Sequence, residues 1–328
     1  MRLGGAARYL VEVYSEKEVE EVAAWIAEKQ QSSIMIGAGS NIVWKDEGFP
    51  GLVIVNKIPG RELLAEDDQT ATIRLGGGEN WDEVVAKCVG NGWSGVEFLS
   101  LIPGTVGAAP VQNIGAYGVE LSSVFVSLRA FDKKSNAFVE LQNEDCAFGY
   151  RTSRFKTSDK HRYFITSIIL KLHKKNPEPP FYDALDSYIT EHHIKDFTPK
   201  IIREAVIAIR SSKLPDPAVV ANNGSFFTNP FVDAAHFASL KHLYPDIKGW
   251  ELPDGRFKLA AGWLVEQAGF KGIHDHETGM ATWPKQALVL VNENAKSTAD
   301  LLAFRQKIMD AVASKFNVKL EQEPELLP

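Results

Sequence analysis

The residues of this chain best suited to chemistry are the glycines of residues 98–118, which read FLSLIPGTVGAAPVQNIGAYG. Because glycine lacks a Cβ, it takes backbone conformations closed to other residues and lets another group approach the main chain. Exposed N–H groups in such a turn bind anionic oxygens, and the amides of Gln112 and Asn113 can bond polar edges of a ligand. The stretch therefore predicts a loop around a phosphate-bearing ligand, although an ordinary loop of small residues has the same composition.

A second stretch with the same character comes earlier in the chain. Residues 34–56, IMIGAGSNIVWKDEGFPGLVIVN, indicate a buried strand, a tight turn at residues 37–41, a loop and a second buried strand. No Gly-Lys-Ser/Thr follows the turn, so it is not a Walker loop, and it lacks the GxGxxG spacing that opens a helix in a Rossmann unit. The turn can nonetheless cradle phosphate.

Together, GAGSN and PGTVGAAPVQNIGAYG resemble the flavin-binding signature of the UDP-N-acetylenolpyruvoylglucosamine reductase family, which acts second in bacterial peptidoglycan precursor synthesis. The resemblance extends over nearly the whole chain, with the motifs in the family's order. It implies an FAD-dependent enzyme that binds the cofactor without a covalent bond. The cofactor-binding residues it implies are Gly37, Ala38, Gly39, Ser40, Asn41, Pro103, Gly104, Thr105, Gly107, Ala108, Gln112, Asn113, Gly115, Ala116, Tyr117 and Gly118.

The fold that the resemblance implies is α+β. It consists of a two-subdomain FAD-binding fold of the vanillyl-alcohol-oxidase (PCMH-like) type, followed by a third, α/β substrate-binding domain. We place these domains at residues 1–60, 61–214 and 215–328, with the C-terminal tail returning to the active site.

The reaction implied by the resemblance is reduction of the enolpyruvyl double bond of UDP-N-acetylglucosamine-enolpyruvate, giving UDP-N-acetylmuramate, with NADPH as co-substrate. The family's proton donor is a serine, which matches Ser225 in GSFF. Arg151 matches an arginine whose paired donors face the developing enolate. The family's C-terminal glutamate falls on Glu323 by ungapped matching, with Glu325 as the alternative.

Substrate recognition is implied at five further positions. Lys213 matches a lysine at the UDP-sugar, where a cation is needed beside the diphosphate, and Tyr182 matches a tyrosine on a mobile segment that closes over it. The segment around Tyr182 is similar to the longer form of the family. The complete set of implied substrate-binding residues is Tyr150, Tyr182, Lys213, Asn229 and Gln286.

Two other functions fit parts of the sequence. The same flavin-binding fold serves oxidases and dehydrogenases of small alcohols and hydroxy acids, many of which tether flavin through a histidine, but no histidine precedes His161 here. A nucleotide-sugar sensor without catalysis is disfavoured by the joint presence of the three implied catalytic residues.

His274 and His276, beside acidic residues, could suggest a metal site, yet such pairs are more often surface residues, and we expect no metal.

Composition limits the classes of protein further. At 328 residues, with about 150 residues per domain, two or three domains are expected. A net charge of -6 and a pI near 5.8 argue against a nucleic-acid partner. No apolar run approaches the roughly 20 residues that span a bilayer, and no signal peptide opens the chain, which predicts a cytoplasmic protein without a membrane partner. Two distant cysteines, Cys88 and Cys146, predict buried thiols rather than a disulfide or zinc site, and we expect a monomer.

Hydrophobic periodicity predicts the elements that position these residues. A capping box at Ser15 and Glu18 predicts the start of a helix, and Thr198 marks the start of another. The remaining predicted helices cover residues 79–91, 258–268 and 297–316. Predicted strands cover residues 9–13, 52–55, 70–75, 163–172 and 286–292, with a strand pair around the turn at 132–136.

Overall fold

A computed structural model describes residues 1–328 and divides into two compact units. The larger unit comprises Ala7–Ser40 and Pro50–Ser212, and the smaller unit comprises Met1–Ala6, Asn41–Phe49 and Lys213–Pro328. The three-domain division expected from the sequence stays a prediction. No helix is both long enough and apolar enough to span a bilayer.

The strands, in chain order, are β1 Ala7–Val13, β2 Ser33–Ile36, β3 Ile42–Trp44, β4 Phe49–Asn56, β5 Arg61–Glu66, β6 Thr70–Gly76, β7 Gly115–Ala116, β8 Val119–Glu120, β9 Phe125–Asp132, β10 Ala137–Gln142, β11 Tyr163–His173, β12 Asn222–Ser225, β13 Phe231–Val232, β14 Gly249–Glu251, β15 Phe257–Leu259, β16 His274–Asp275, β17 Met280–Trp283, β18 Gln286–Asn292 and β19 Glu325–Leu327. The α-helices are α1 Glu16–Lys29, α2 Trp81–Gly90, α3 Asp183–Glu191, α4 Pro199–Lys213, α5 Ala234–Leu243, α6 Ala261–Gln267 and α7 Thr298–Phe316.

Two principal sheets form the larger unit. The first has the order β1–β4–β2, with β2 and β4 parallel, and the second has the order β10–β9–β11–β6–β5 with antiparallel neighbours. Side chains alternate across the second sheet. Phe164 therefore lies in the core that contains Val19 of α1 and Ile54 of β4, while its neighbour Ile165 lies in the core that contains Trp81 of α2. Both faces of this sheet are thereby covered by apolar side chains.

Helix α1 begins where the capping residues predict. Ser15 Oγ accepts a hydrogen bond from Glu18 N at 3.2 Å, and the Glu18 carboxylate accepts one from Tyr14 N at 2.6 Å. The reciprocal bond thus reaches one residue earlier than a capping box requires. The expected helix starts at α2, α4 and α7 are confirmed to within two residues.

The smaller unit is built on the antiparallel sheet β12–β18–β17–β16. Helices α6 and α7 supply Leu264, Phe304 and Ile308 to a core that also contains Phe226 and Phe227. A three-stranded sheet, β13–β15–β14, and the parallel pair of β3 with β19 complete the unit. Because Phe226 and Phe227 are almost fully buried, the segment after β12 is fixed by packing on both sides of the chain.

The predicted helix over residues 258–268 was wrong at its start. Lys258 and Leu259 pair with β13 and β14 as part of β15, and the helix begins only at Ala261. The apolar spacing of this stretch fits the period of a helix and that of a strand. Its first residues form a strand because the edges of β13 and β14 are available for pairing. Gly269 has a φ of +89° directly after the helix, as expected of a helix-ending glycine.

Candidate functional site

The two glycine-rich stretches meet within the larger unit. A Cβ added to Gly37 would overlap Thr105 Oγ1 and would lie 3.3 Å from Ala108 Cβ. Ser40 Oγ donates a hydrogen bond to Pro103 O at 3.2 Å. Small residues are therefore needed on both sides of this contact, and the turn at residues 37–40 packs directly against the start of the loop at residues 103–118.

The loop at residues 103–118 is anchored to the connection between β6 and α2. Trp81 N donates to Gly104 O at 3.1 Å, and Gly107 N donates to Gly77 O at 2.8 Å. Gly104 has a φ of +124°, so it needs the freedom of glycine, whereas Gly107 has an ordinary φ. A Cβ on Gly107 would lie only 3.1 Å from Gly77 Cα and O. Glycine at this position serves close packing of two backbones.

The Thr105 hydroxyl has no protein partner. Its oxygen is shielded from solvent, no hydrogen bond reaches it, and it faces Gly37. A buried hydroxyl without a partner costs free energy, on the order of 1–3 kcal/mol by mutational measurements. It is therefore available to a polar ligand atom placed at the turn Gly37-Ala38-Gly39.

Asn113 is buried with its side chain engaged in the fold. Its Nδ2 donates to Glu120 Oε2 at 2.7 Å and Gly149 O at 3.2 Å, and its Oδ1 accepts from Ser122 N at 3.0 Å. These bonds hold the loop in place, and contact of Asn113 with a ligand stays a prediction. Gln112, one residue earlier, is half-buried and ends the 3-10 turn of Val106–Gln112.

Arg151 is held against the end of the same loop. Its Nη2 donates to Gly115 O at 2.6 Å, and its guanidinium lies 5.4 Å from the centre of the Tyr150 ring. A Cβ on Gly115 would lie 2.9 Å from Arg151 Nη1, so glycine is needed there to admit the guanidinium. Arg151 itself has a φ of +54°, a conformation that few non-glycine residues adopt. The backbone and the loop together fix the direction of this cation.

Tyr182 lies beside the loop at the N-terminal end of α3. Its ring meets that of Tyr117 edge to face at 6.1 Å between centroids. The preceding residue, Phe181, packs against Phe98 and Phe197. These aromatic contacts attach the segment that carries Tyr182 to the loop at residues 103–118, while the Tyr182 side chain stays partly exposed.

Arg210 is a candidate site residue that the sequence reasoning missed. It lies on α4 with its Nη2 3.3 Å from Leu101 O, and its buried Nε has no hydrogen-bond partner. The nearby Asp82 carboxylate is already engaged by Arg203 at 2.6 and 2.9 Å and by Leu101 N. Burial lowers the pKa of the Arg210 guanidinium, with Arg151 adding to the effect. A cation without a full counter-charge suits an anionic ligand.

The position of Arg210 on α4 was the signal in the sequence that could have identified it as a site residue. Arg203 and Arg210 are seven residues apart, which places them on one side of a helix whose core positions include Ile202, Val206 and Ile209. Two arginines beside such an apolar stripe need partners. Arg203 has the Asp82 carboxylate as its partner, whereas Arg210 has only a share of that negative charge.

Ser225 lies at a β-bulge in the smaller unit. Asn222 pairs with Val291 and Ser225 with Val289, so three steps on β12 oppose two on β18. The extra residue is accommodated at Gly224, whose φ is +70° and whose N–H donates to Asn222 Oδ1 at 2.8 Å. Bulges redirect side chains at functional sites. The half-buried Ser225 is thus held by a local irregularity of an otherwise regular sheet.

Glu323 lies on the segment beside Ser225. Glu323 N donates to Phe226 O at 2.9 Å, and Gln322 forms an antiparallel bridge with Phe227. Glu325, the alternative, begins β19 and pairs with Ile42. Of the two glutamates, Glu323 is therefore the one whose backbone bonds the residue next to Ser225.

The other predicted substrate positions of the smaller unit frame the start of α6. Asn229 Oδ1 accepts from Ala261 N at 2.9 Å, and Gln286 Oε1 would lie 3.1 Å from a Cβ on Gly262. Lys213 is exposed at the C-terminal end of α4. The structure thus brings Asn229 and Gln286 to one helix end, and it bonds the Glu323 backbone to Phe226, the residue after Ser225.

Comparison with known proteins identifies relatives over the whole chain. Residues 7–138 match the FAD binding domain model, and residues 216–327 match the model for the UDP-N-acetylenolpyruvoylglucosamine reductase, C-terminal domain. The UDP-N-acetylenolpyruvoylglucosamine reductase of Ralstonia nicotianae is 41% identical over 326 residues, which cover 98% of this chain and 94% of the relative. That of Cupriavidus pinatubonensis is 45% identical over 294 residues, covering 90% and 86% respectively.

The fold has a counterpart among solved structures. The crystal structure of the UDP-N-acetylenolpyruvylglucosamine reductase from Thermus caldophilus matches with a TM-score of 0.65 at 21% identity, covering 97% of this chain and 92% of that chain. At this identity the likeness concerns the fold. With the FAD binding domain match, it confirms the α+β, FAD-binding fold class expected from the sequence.

Proposed function

The chain belongs to the UDP-N-acetylenolpyruvoylglucosamine reductase family, and we propose that it reduces the enolpyruvyl double bond of UDP-N-acetylglucosamine-enolpyruvate to give UDP-N-acetylmuramate, with electrons from NADPH and a proton from Ser225. The observation that carries this proposal is 41% identity over 98% of the chain to a reductase of that name. The coarser activity, an FAD-dependent oxidoreductase of peptidoglycan synthesis, follows from family membership itself.

The residues of the larger unit fit FAD. The unpartnered Thr105 hydroxyl supplies a polar atom beside the turn at Gly37, as a phosphate-bearing cofactor requires. The turn at residues 37–40 and the loop at residues 103–118 would hold it. FAD, when bound, supplies the hydride chemistry by accepting a hydride from NADPH and passing one to the substrate double bond.

Ser225 acts as the proton donor in this proposal. When hydride adds to one carbon of the double bond, the carbon next to the substrate carboxylate becomes carbanion-like and needs a proton. A hydroxyl is a weak acid, so it serves only when its position is fixed. The bulge at Gly224 and the buried Phe226 and Phe227 support such fixation.

Arg151 and Glu323 complete the proposed catalytic set. The Arg151 guanidinium offers paired donors to the substrate carboxylate as negative charge develops there, and its bond to Gly115 O and the contact with Tyr150 pre-set its direction. The Glu323 segment is bonded to Phe226, which supports a role beside the Ser225 hydroxyl in orienting it. The unmatched charge of Arg210 supports anion binding near the loop at residues 103–118.

Recognition of the UDP-sugar is assigned to Tyr150, Tyr182, Lys213, Asn229 and Gln286. The exposed ammonium of Lys213 suits a diphosphate, because a cation on a flexible four-carbon stem at the end of a helix can meet negative oxygens. Asn229 uses its Oδ1 for Ala261 N, which leaves its Nδ2 donors for the ligand. Tyr182 is attached to Tyr117 of the loop yet partly exposed, as a residue that covers a ligand must be.

The experiment that tests the proposal combines a spectrum with an assay. We expect the purified protein to be yellow and to oxidise NADPH only when the enolpyruvyl UDP-sugar is present, with UDP-N-acetylmuramate as the product by mass spectrometry. Protein that is colourless after incubation with FAD would overturn the proposal. Yellow protein that ignores the UDP-sugar but consumes oxygen with a small alcohol or hydroxy acid would support the oxidase alternative instead.

A further inference from the structure

Arg305 on α7 is a half-buried cation that the proposed chemistry does not use. Its Nη1 donates to Gln322 Oε1 at 2.8 Å, while its buried Nε has no hydrogen-bond partner. Burial lowers the pKa of this guanidinium, and no carboxylate offsets the cost. A neutral amide is thus the identified partner of an arginine that the fold has partly removed from water.

Gln322 joins this cation to the C-terminal tail. Its Oε1 accepts from Arg305, and its Nε2 donates to Pro324 O at 2.7 Å, so one amide bonds both the helix and the chain just beyond Glu323. The backbone on either side is also fixed, because Thr228 N donates to Glu321 O and Glu323 N donates to Phe226 O, both at 2.9 Å.

Alternation along an extended chain connects Gln322 to its neighbour. Successive side chains of a strand point to opposite faces. Because Gln322 is in a β-bridge with Phe227 and its side chain is held toward α7 by Arg305, alternation predicts a Glu323 side chain directed away from α7. Rotation of the tail about its axis would move both together, so a bond that stops Gln322 from rotating also stops Glu323.

We infer that Arg305 and Gln322 form a positioning pair for the reductase reaction, in which Arg305 acts through Gln322 to hold the Glu323 carboxylate in its working direction beside the Ser225 segment. The inference rests on the proposed function and extends it to two residues that act through Glu323. The positioning role also explains why Arg305 is paired with the neutral Gln322. A carboxylate at position 322 would add a second negative group next to Glu323.

The test replaces each member of the pair and follows the two half-reactions separately. Arg305→Met and Gln322→Leu keep the volume and remove the bond. We expect each to slow flavin reoxidation by the UDP-sugar substrate by about 10- to 100-fold, because small misplacements at an active site cost this much. The rate of flavin reduction by NADPH should stay unchanged. Arg256→Met and Gln306→Leu, at exposed sites of the same unit, are the matched controls.

Combined variants separate positioning from simple stabilisation. On a Glu323→Gln background, Arg305→Met should slow reoxidation no further, and Arg305→Met with Gln322→Leu should equal either change alone, because residues that act as one unit are not additive. An equal loss on the Glu323→Gln background, or a lowered melting temperature with unchanged reoxidation, would overturn the inference. If the unmodified protein showed no substrate-dependent reoxidation, the proposed function itself would fail.

Discussion

At the scale of the residue, the chemistry depends on polar groups whose partners lie partly outside the protein. Thr105 Oγ1 and Arg210 Nε are buried without hydrogen bonds, and both belong to the larger unit near the loop at residues 103–118. Most buried polar atoms in proteins are paired, so these two exceptions beside the glycine-rich loop are candidates for contact with a ligand. Asn113 shows the reverse, because its amide is fully used within the fold although its motif suggested ligand binding.

Removing the Ser225 hydroxyl should block proton delivery without disturbing binding. For Ser225→Ala we expect turnover to fall by roughly 10²- to 10⁴-fold, the usual contribution of a positioned acid. Flavin reduction by NADPH and the dissociation constant of the UDP-sugar should change little. Stopped-flow absorbance measures the first and calorimetry the second, with Ser239→Ala on α5 as the control. Turnover that survives in Ser225→Ala would assign the proton to another group.

Glu97 should give the stability of the protein a dependence on pH. Burial raises the pKa of this carboxyl above its ordinary value of 4.5, and one of its oxygens has no partner. As pH rises past 4.5, the unfolded chain loses this proton while the folded protein keeps it, so the Glu97 contribution to the free energy of unfolding falls until the folded-state pKa is passed.

Glu97→Gln removes the ionisation and keeps the shape. Relative to the parent protein, we expect the variant to gain stability progressively as pH rises above 4.5, as measured by urea unfolding at a series of pH values. Glu144→Gln, in an exposed 3-10 turn, serves for comparison. A constant difference between Glu97→Gln and the parent at every pH would contradict the assignment.

At the scale of the element, the bulge in β12 decides where Ser225 lies. A regular pairing with β18 would shift the register by one residue and turn Ser225 to the opposite face of the sheet. Gly224 makes the bulge possible through its positive φ, in a place where an added Cβ would meet no other atom. A change at this position therefore tests backbone conformation separately from crowding.

Gly224→Ala should reduce catalysis more than it reduces stability. A left-handed conformation costs an alanine about 1–2 kcal/mol, and relief of this strain would flatten the bulge and misdirect Ser225. Gly255→Ala is the matched control, since Gly255 has a φ of +80° in equally open space on a turn of the same unit. We expect similar losses in the free energy of unfolding for both variants and a loss of turnover only in the first. Equal turnover in the two variants would argue against the bulge as a positioning device.

Sequence patterns predicted helices and strands well where the spacing of apolar residues fitted only one type of element. The stripe of Trp81, Val84, Val85 and Cys88 gave α2, and the strand at residues 286–292 was predicted to the residue, because no competing arrangement fits them. Prediction failed at residues 258–260, where a strand edge claimed residues that also fit a helix. The contact of Arg305 with Gln322 had no sequence signal at all, since it joins two polar residues seventeen positions apart.

At the scale of the whole molecule, the histidines and cysteines of the chain are placed unfavourably for tethering flavin. No histidine lies within the FAD binding domain match at residues 7–138, and Cys88 is buried in the core beside Trp81 and Val85. Burial raises the pKa of the Cys88 and Cys146 thiols to about 12, so neither is a thiolate near neutral pH. The cofactor should be held by non-covalent contacts alone.

Denaturation should accordingly release all of the flavin. We expect acid precipitation to leave the yellow colour in the supernatant and the protein pellet colourless, and intact mass spectrometry to give the mass of the unmodified chain. Flavin fluorescence retained by the pellet would point to a covalent bond. The measurement needs no variant and applies to the whole protein.

The smaller unit is assembled from segments that are translated far apart in time. Residues 1–6 and 41–49 belong to the same unit as residues 213–328, and Ile42 of β3 pairs in parallel with Glu325 of β19. A nascent polypeptide emerging from the ribosome therefore exposes β3 long before its partner has been translated. Premature termination ahead of residue 325 would leave this early strand with an open edge, which a chaperone or protease could recognise.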